Sequence, residues 1–131
     1  METTSPDDPY VGNVYCDQCP CRGILDLIAS KWSTLIIGRL EEGAMRFGEL
    51  KRAIPGVTQK MLTQTLRKLE ENGLVNRAVH PTRPPKVEYS LTDVGVSVTS
   101  PLAAVRSWAE VHLGVIEQAR ERYQERVAAE S

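Results

Sequence analysis

Three cysteines, Cys16, Cys19 and Cys21, fall within six residues in the order C-x2-C-x-C. A thiol just ahead of a helix has its thiolate favoured by the positive end of the helix dipole, here with Arg22 adding charge, and becomes a nucleophile for oxidants and electrophiles. Asp17 and Asp26 act in the opposite sense. The same sulfurs are soft enough to ligate a metal, with His112 or Asp17 as a fourth donor, but zinc sites usually come as two separated pairs and the second pair is missing. No metal and no cofactor is therefore expected. The remaining reading is of packing thiols without chemistry.

A second constellation lies in TQKMLTQTLRKLEENG, residues 58–73. Reading base edges in the major groove takes a narrow rod with bidentate donors and acceptors near its N-terminal end. Thr58, Gln59, Lys60, Thr63 and Gln64 stand there, with Arg67 one turn on. Gln suits adenine, Arg or Lys suits guanine, and Thr suits a thymine methyl or a phosphate. Further along, PTRPPK holds Arg83 out between prolines, in a form suited to a narrow minor groove. Arg77, His80 and Lys86 are close enough to reach flanking phosphates.

The elements that must position these groups follow from periodicity. Ile24, Leu25, Leu27 and Ile28 cover one side of a short helix. Trp32, Leu35, Ile36 and Leu40 continue the helical period after a break near Ser30, with Ser33 as a candidate cap and Gly43 as the stop. Phe47, Leu50 and Ile54 predict a third helix closed by Pro55-Gly56, while Met45 and Phe47 are too few for a strand. Thr58 caps the next helix, whose Leu62, Leu66 and Leu69 face one way with Met61 beside them, and Asn72-Gly73 ends it. Val75 to His80 and Val87 to Leu91 alternate with the period of half-buried strands, and the proline-rich segment between them is a stiff loop. The order helix, helix, helix, basic-tipped hairpin is the outline of a winged helix-turn-helix, mainly α with a small β-hairpin wing, and its expected partner is double-stranded DNA.

Thr92 caps a final helical region, about 92–130, in which Leu102, Val105, Ala109, Leu113, Ile116, Tyr123 and Val127 recur every three or four positions beside Trp108, Val111 and Val115. Unbroken from Pro101 to Glu130, it would run about 43 Å, beyond the width of so small a domain. It should overhang its own core and be covered by a second chain through Leu102, Val105, Trp108, Ala109, Leu113, Ile116 and Tyr123. Gly114 and Pro101 are the places where it could break or kink. Residues 1–15 read as a flexible arm and 16–131 as one domain.

Charge is segregated on a chain whose formal net charge is −1. Residues 45–91 carry nine Lys/Arg against four Asp/Glu, whereas residues 1–30 carry one against five and 92–131 four against six. A basic centre between acidic ends permits a local phosphate-facing surface. No apolar run approaches the ~20 residues needed to cross a bilayer, and METTSPDDPY lacks the basic start and apolar core of a secretory signal, so a cytoplasmic protein without membrane contact is expected. Nothing here pairs a nucleophile with a base, sets two carboxylates together, or builds a phosphate loop, which argues against an enzyme. A winged module that binds protein is the rival from another class, but it would not need the charge segregation.

From Cys19 to about Glu110 the chain resembles the HxlR family of bacterial winged-helix transcriptional regulators, within the wider MarR-like group. The likeness is carried by CPCRGILDLIASKW, RFGELKRAIPGVTQKMLTQTLRKLEENGLVNR and PPKVEYSLTDVG. It implies a homodimer built from terminal helices that binds an inverted-repeat operator and represses a nearby operon. Its recognition helix would correspond to Gln59, Lys60, Thr63 and Arg67, and its wing tip to Arg83. It also implies that Cys19 matches a cysteine used by several members to sense quinones, aldehydes, hypochlorite or other electrophiles. Some members pair that cysteine with a distant one across the dimer, and this chain has none after Cys21. Left open are pairing of Cys16, Cys19 or Cys21 with a neighbour or with the other subunit's cluster, a mixed disulfide, and direct alkylation; a bond between Cys19 and Cys21 looks cramped. The alternatives to a thiol switch are a ligand- or metal-responsive regulator and the protein-binding module.

Overall fold

The computed structural model describes residues 11–131. Helices α1 (Cys21–Ala29), α2 (Lys31–Leu40), α3 (Phe47–Ala53) and α4 (Gln59–Glu71) precede the hairpin β2 (Val75–His80) and β3 (Lys86–Leu91), with the two-residue strand β1 (Met45–Arg46) between α2 and α3. Three helices follow: α5 (Asp93–Ser97), α6 (Thr99–Val111) and α7 (Leu113–Glu130). The sheet is antiparallel in the order β1-β3-β2. It has one strand more than the sequence predicts, because β1 is completed by a partner some forty residues away, Met45 opposite Tyr89 and Arg46 opposite Glu88.

The core lies where α2, α3 and α4 converge on the base of the hairpin. Ile36, Ile37 and Leu40 of α2 meet Leu50, Leu62, Leu66 and Leu69, with Leu74 and Val75 closing the sheet side. Each such side chain contributes roughly 1.5–3 kcal/mol by leaving water. The predicted stripe of α4 is the buried one, and Thr65 joins it by donating its hydroxyl proton to the Met61 carbonyl.

Several local expectations are corrected. Ser30, not Ser33, caps α2: its hydroxyl accepts the Ser33 N–H at 3.2 Å, while Ser33 is itself fully buried. On α1 only Leu27 and Ile28 pack against the core; Ile24 and Leu25 face out, because the helix touches the body along one narrow edge. Thr92 caps α5 by accepting the Gly95 N–H, and the chain turns before α6 begins. The long terminal helix is interrupted at His112, whose φ of −98° and ψ of 7° leave the helical basin. Its ring stacks on Trp108 and Nδ1 contacts the Trp108 carbonyl, which also accepts the His112 N–H, and Gly114 two residues on offers little helix propensity to resist the break. Leu102, expected at a subunit interface, belongs to the chain's own core.

Residues 1–10 of the expected arm lie outside the described residues. Val11–Tyr15 are held over the cysteines by Arg22, which donates to the carbonyl oxygens of Val14 at 2.7 Å and Tyr15 at 3.2 Å. Among the described residues no helix is long and apolar enough to cross a membrane.

Candidate nucleic-acid interface and thiol pair

The first residues to place are those of α4. Thr58 accepts the Met61 N–H at 3.1 Å and so fixes where the helix starts. With Leu62, Thr65, Leu66 and Leu69 buried, a helix of 3.6 residues per turn puts Lys60, Gln64 and Arg67 on the opposite side, all exposed. Gln59 lies exposed on the flank of that face, and Thr63 is half-buried beside it. Glu70 and Glu71 occupy the C-terminal end, so the cations and amides of this face gather in the first turns. The five-residue link from α3 turns through Gly56 at φ 89° and is anchored by the buried Val57. An exposed, rigid, cationic and amide-bearing rod is what these side chains form.

The hairpin extends the same surface. Val75 is buried, but from Asn76 to His80 every residue of β2 is exposed, Val79 included, so the expected half-burial ends after one residue. Past its base the hairpin is exposed, and among the described residues no second layer covers Val79. Cross-strand register places Arg77 opposite Tyr89 and His80 opposite Lys86, which puts Arg77 on one face of the ribbon and Lys86 on the other. His80 Nε2 lies 3.7 Å from the Glu88 carboxylate, so His80 already has an acidic neighbour. Arg83 stands exposed at the tip, where the Thr82 hydroxyl, donating to the Pro84 carbonyl at 2.9 Å, tightens the loop.

The cysteines form a separate site at the start of α1. Cys19 and Cys21, separated by Pro20 in the right-handed helical region, bring their sulfurs to 2.7 Å without a bond between them. From the sequence a bond between them looks cramped; the structure brings the sulfurs close and leaves both thiols free. Hydrogen bonding from the Cys21 thiol pulls Cys19 below the ordinary thiol range, helped by the backbone N–H groups of Cys21 and Asn13 and by the Arg22 charge, with burial opposing. The partner moves the other way: Cys21 is pushed up by holding its proton toward Cys19, by burial and by the charge on Cys19. The Asn13 N–H lies 3.3 Å from Cys19 Sγ, and a Cβ added at Gly12 would come within 2.8 Å of Cys21 Sγ and 2.9 Å of Cys19 Sγ. Backbone thus passes directly over both sulfurs, a contact that no periodicity in the sequence announces. Cys16 is exposed. Among the described residues no group of three or more His, Cys, Asp and Glu side chains is gathered so as to hold a metal ion, and His112 is occupied with Trp108.

Of the side chains expected to meet a second chain, Val105, Trp108, Leu113 and Tyr123 are more than half exposed, Ala109 is exposed and Ile116 half-buried. They lie on both sides of the break at His112. Arg106, between them, donates to the Thr34 carbonyl and hydroxyl at 2.8 and 3.0 Å and ties α6 to α2, fitting against Gly38, where a Cβ would meet its guanidinium. Beside it, α2, α3 and α6 enclose a cavity of about 350 Å3 lined in part by Leu35, Arg39, Ile54 and Arg106.

Comparison with known proteins places this architecture. Residues 27–117 match the model of an HxlR-like helix-turn-helix family. That span takes in α4 and the hairpin and begins past the cysteines. The HTH-type transcriptional regulator YtfH of Escherichia coli (strain K12), itself uncharacterized, is 46% identical over 102 residues, covering 78% of this chain and 81% of that protein. A solved structure of the transcriptional regulator ytfH from Salmonella typhimurium superposes with a TM-score of 0.79 at 42% identity, covering 85% of this chain and 99% of that one. The redox regulator HypR in its oxidized form superposes with a TM-score of 0.66 at 41% identity, covering 71% and 96%.

Proposed function

The chain belongs to the HxlR-like helix-turn-helix family, and from that premise we propose that it acts as a homodimer that binds an inverted-repeat operator and represses transcription until Cys19 is oxidised or alkylated. It is a winged helix-turn-helix transcriptional regulator and not an enzyme. The observation that carries the finer reading is the exposed Lys60, Gln64 and Arg67 face of α4 together with the exposed Arg83 at the hairpin tip. A rod with bidentate side chains in its first two turns serves the major groove, and a cationic tip serves an adjacent groove or phosphate. Gln59 and Thr63 flank the reading face, Thr58 fixes its start, and Arg77 and Lys86 straddle the wing so as to meet backbone on either side.

Dimerisation is supported by the apolar side chains left uncovered on α6 and α7, Trp108 at 55% and Leu113 at 56% exposure among them. A two-fold pair reads two half-sites about 34 Å apart. Once one half-site is docked the second docking is effectively intramolecular, so a modest change in spacing costs far more than one contact. Cys19 suits the role of trigger because its thiolate is favoured and because α1 is weakly anchored. None of the nine residues of α1 is buried, and its N-cap Pro20 makes no side-chain hydrogen bond. That a redox regulator superposes on this chain also supports a thiol signal.

The test is a gel shift on DNA from upstream of the chain's own gene, reduced and then treated with diamide or a quinone, with intact mass in parallel. Release of DNA with a mass change at the cysteines, reversed by reductant after diamide, is the expected result. Release that persists unchanged in Cys19→Ser would sink the thiol switch and move the signal to another place, for which the cavity beside Arg39 and Arg106 is the structural candidate.

A further inference from the structure

Resting on the thiol-switch reading, we propose that Cys19 and Cys21 of one subunit are the bond-forming pair, closing a disulfide across Pro20 on reaction with a hydroperoxide. The sulfurs already stand 2.7 Å apart. Pro20 is in the right-handed helical region, with φ −59° and ψ −17°. Helical geometry at one intervening residue sets the flanking Cα atoms about 5.4 Å apart, inside the roughly 4.4–6.8 Å over which disulfides close. The pair therefore needs rotation of side chains, not rearrangement of the backbone. With no cysteine after Cys21, any other bridge would require the exposed Cys16 or the cluster of a second subunit.

The roles within the pair are distinct. Cys19, whose sulfur faces the Asn13 N–H at 3.3 Å, is the nucleophile. Cys21 keeps its proton and resolves. The Cys19 sulfur attacks the distal oxygen of the hydroperoxide; an S–O bond forms, the O–O bond breaks, and the leaving alkoxide takes the proton shed by Cys19 to depart as an alcohol. Cys21 Sγ then attacks Cys19 Sγ; the S–S bond forms, the S–O bond breaks, and hydroxide leaves as water with the Cys21 proton. Two thiols and one hydroperoxide thus give a disulfide, an alcohol and water, with two electrons passing from the sulfurs to the peroxide. The Gly12 backbone lies against one side of both sulfurs, where an added Cβ would clash, while neither cysteine is fully buried. Closing the bond removes the thiolate that the Asn13 N–H faces, and the Val11–Tyr15 strap loses one of its attachments.

The experiment treats the reduced full-length protein with hydrogen peroxide, then reads intact mass, a disulfide map, a non-reducing gel and DNA binding on the same sample. Expected are the loss of two hydrogens per subunit, a Cys19–Cys21 linkage, migration as a single chain, and full reversal by dithiothreitol. Cys16→Ser should behave the same, and Cys21→Ser should stop one oxygen heavier, at the Cys19 sulfenic acid. A cross-linked dimer, a bridge containing Cys16, or no disulfide at all overturns the pairing. A Cys19–Cys21 bond that forms while DNA stays bound leaves the pairing standing and removes the thiol switch instead.

Discussion

Removing Arg83 is the sharpest probe of the DNA surface, because its effect shows in how binding depends on salt as well as in binding itself. Each subunit offers five exposed cations along the N-terminal face of α4 and the wing: Lys60, Arg67, Arg77, Arg83 and Lys86. Lys68, also exposed, lies about a quarter-turn off this face, beside Asp26 and Trp32. On the proposed dimer these neutralise about ten phosphates, which sets the slope of log K against log salt near −9. Arg83→Ala takes one cation from each subunit and brings the slope to about −7. Between about 50 and 200 mM salt, wild-type affinity should then fall roughly five orders of magnitude and the variant's roughly four. The gap between the two proteins should narrow about tenfold over that range.

Fluorescence anisotropy on a labelled operator, titrated at four or more salt concentrations, measures both slopes. Arg83→Lys should restore the slope, since a point charge suffices for a phosphate. A wild-type-to-variant ratio that stays constant with salt would refute phosphate neutralisation at Arg83 and leave groove shape or a base edge as what it reads. A wild-type slope near −2 would refute more, because most of the counted cations would then face solvent in the complex.

Three further outcomes are expected. Because the Cys21 hydrogen bond is the largest cause of the depressed Cys19 pKa, the pH at which Cys19 alkylation by iodoacetamide is half-maximal should rise in Cys21→Ala; peptide-resolved mass spectrometry in a Cys16→Ser background reads it, and a midpoint that is unmoved or lower contradicts the assignment. A Cβ at Gly95 would strike the Leu74 carbonyl that accepts the Thr92 N–H, so Gly95→Ala should destabilise by about 1–3 kcal/mol or more. Gly23→Ala, in α1 with open space around it, should stabilise by about 0.5–1 kcal/mol, so equal thermal shifts for the two variants would contradict the packing described. Hydrogen exchange across oxidation should change in Val11–Ala29 and in α5 to α7 while α4 stays protected, and deprotection of α4 would mean that the reading helix itself melts.

What the sequence disclosed and what it hid divide along a physical line. The stripe Leu62, Leu66, Leu69 and the cap at Thr58 are local and periodic, and both recur in the structure with the boundaries the pattern gives. The hairpin register is likewise set by alternation and a proline-stiffened loop. Hidden features depend on partners distant in sequence or on geometry that composition does not encode. Two residues of β1 become a strand only because Tyr89 and Glu88 arrive beside them. Val79 alternates correctly and is still exposed, since periodicity fixes which face a side chain takes but not whether anything lies against that face. Ser30 and Ser33 are both cap-forming residues one turn apart, and burial of Ser33 decides between them. At the thiol site the chemistry was visible in residue types, whereas the strap at Gly12 and Asn13 joins segments six to nine residues apart with no repeat to reveal it.

The arrangement of the core constrains how the signal proposed at Cys19 would reach DNA. Three leucines of α4 are essentially inaccessible among α2, α3 and the sheet, so reshaping the helix would expose roughly 1.5–3 kcal/mol of apolar surface for each one freed. The first helix has no such hold. Leu27 touches the small cavity beside Met61 and Gln64, but Ile24 and Ile28 line another with Leu74, Val94 and Val98, where α1 meets the segment that leads into α6. Because the α4 leucines resist movement, a displacement of α1 would be passed more cheaply toward Val94 of α5 and Val98 at the start of α6 than into α4. Those helices carry the uncovered Val105 and Trp108, and Arg106 couples them to α2. On the proposed dimer, the path of least cost leaves each α4 intact and changes the distance between the two, which is the quantity the proposed inverted repeat would measure.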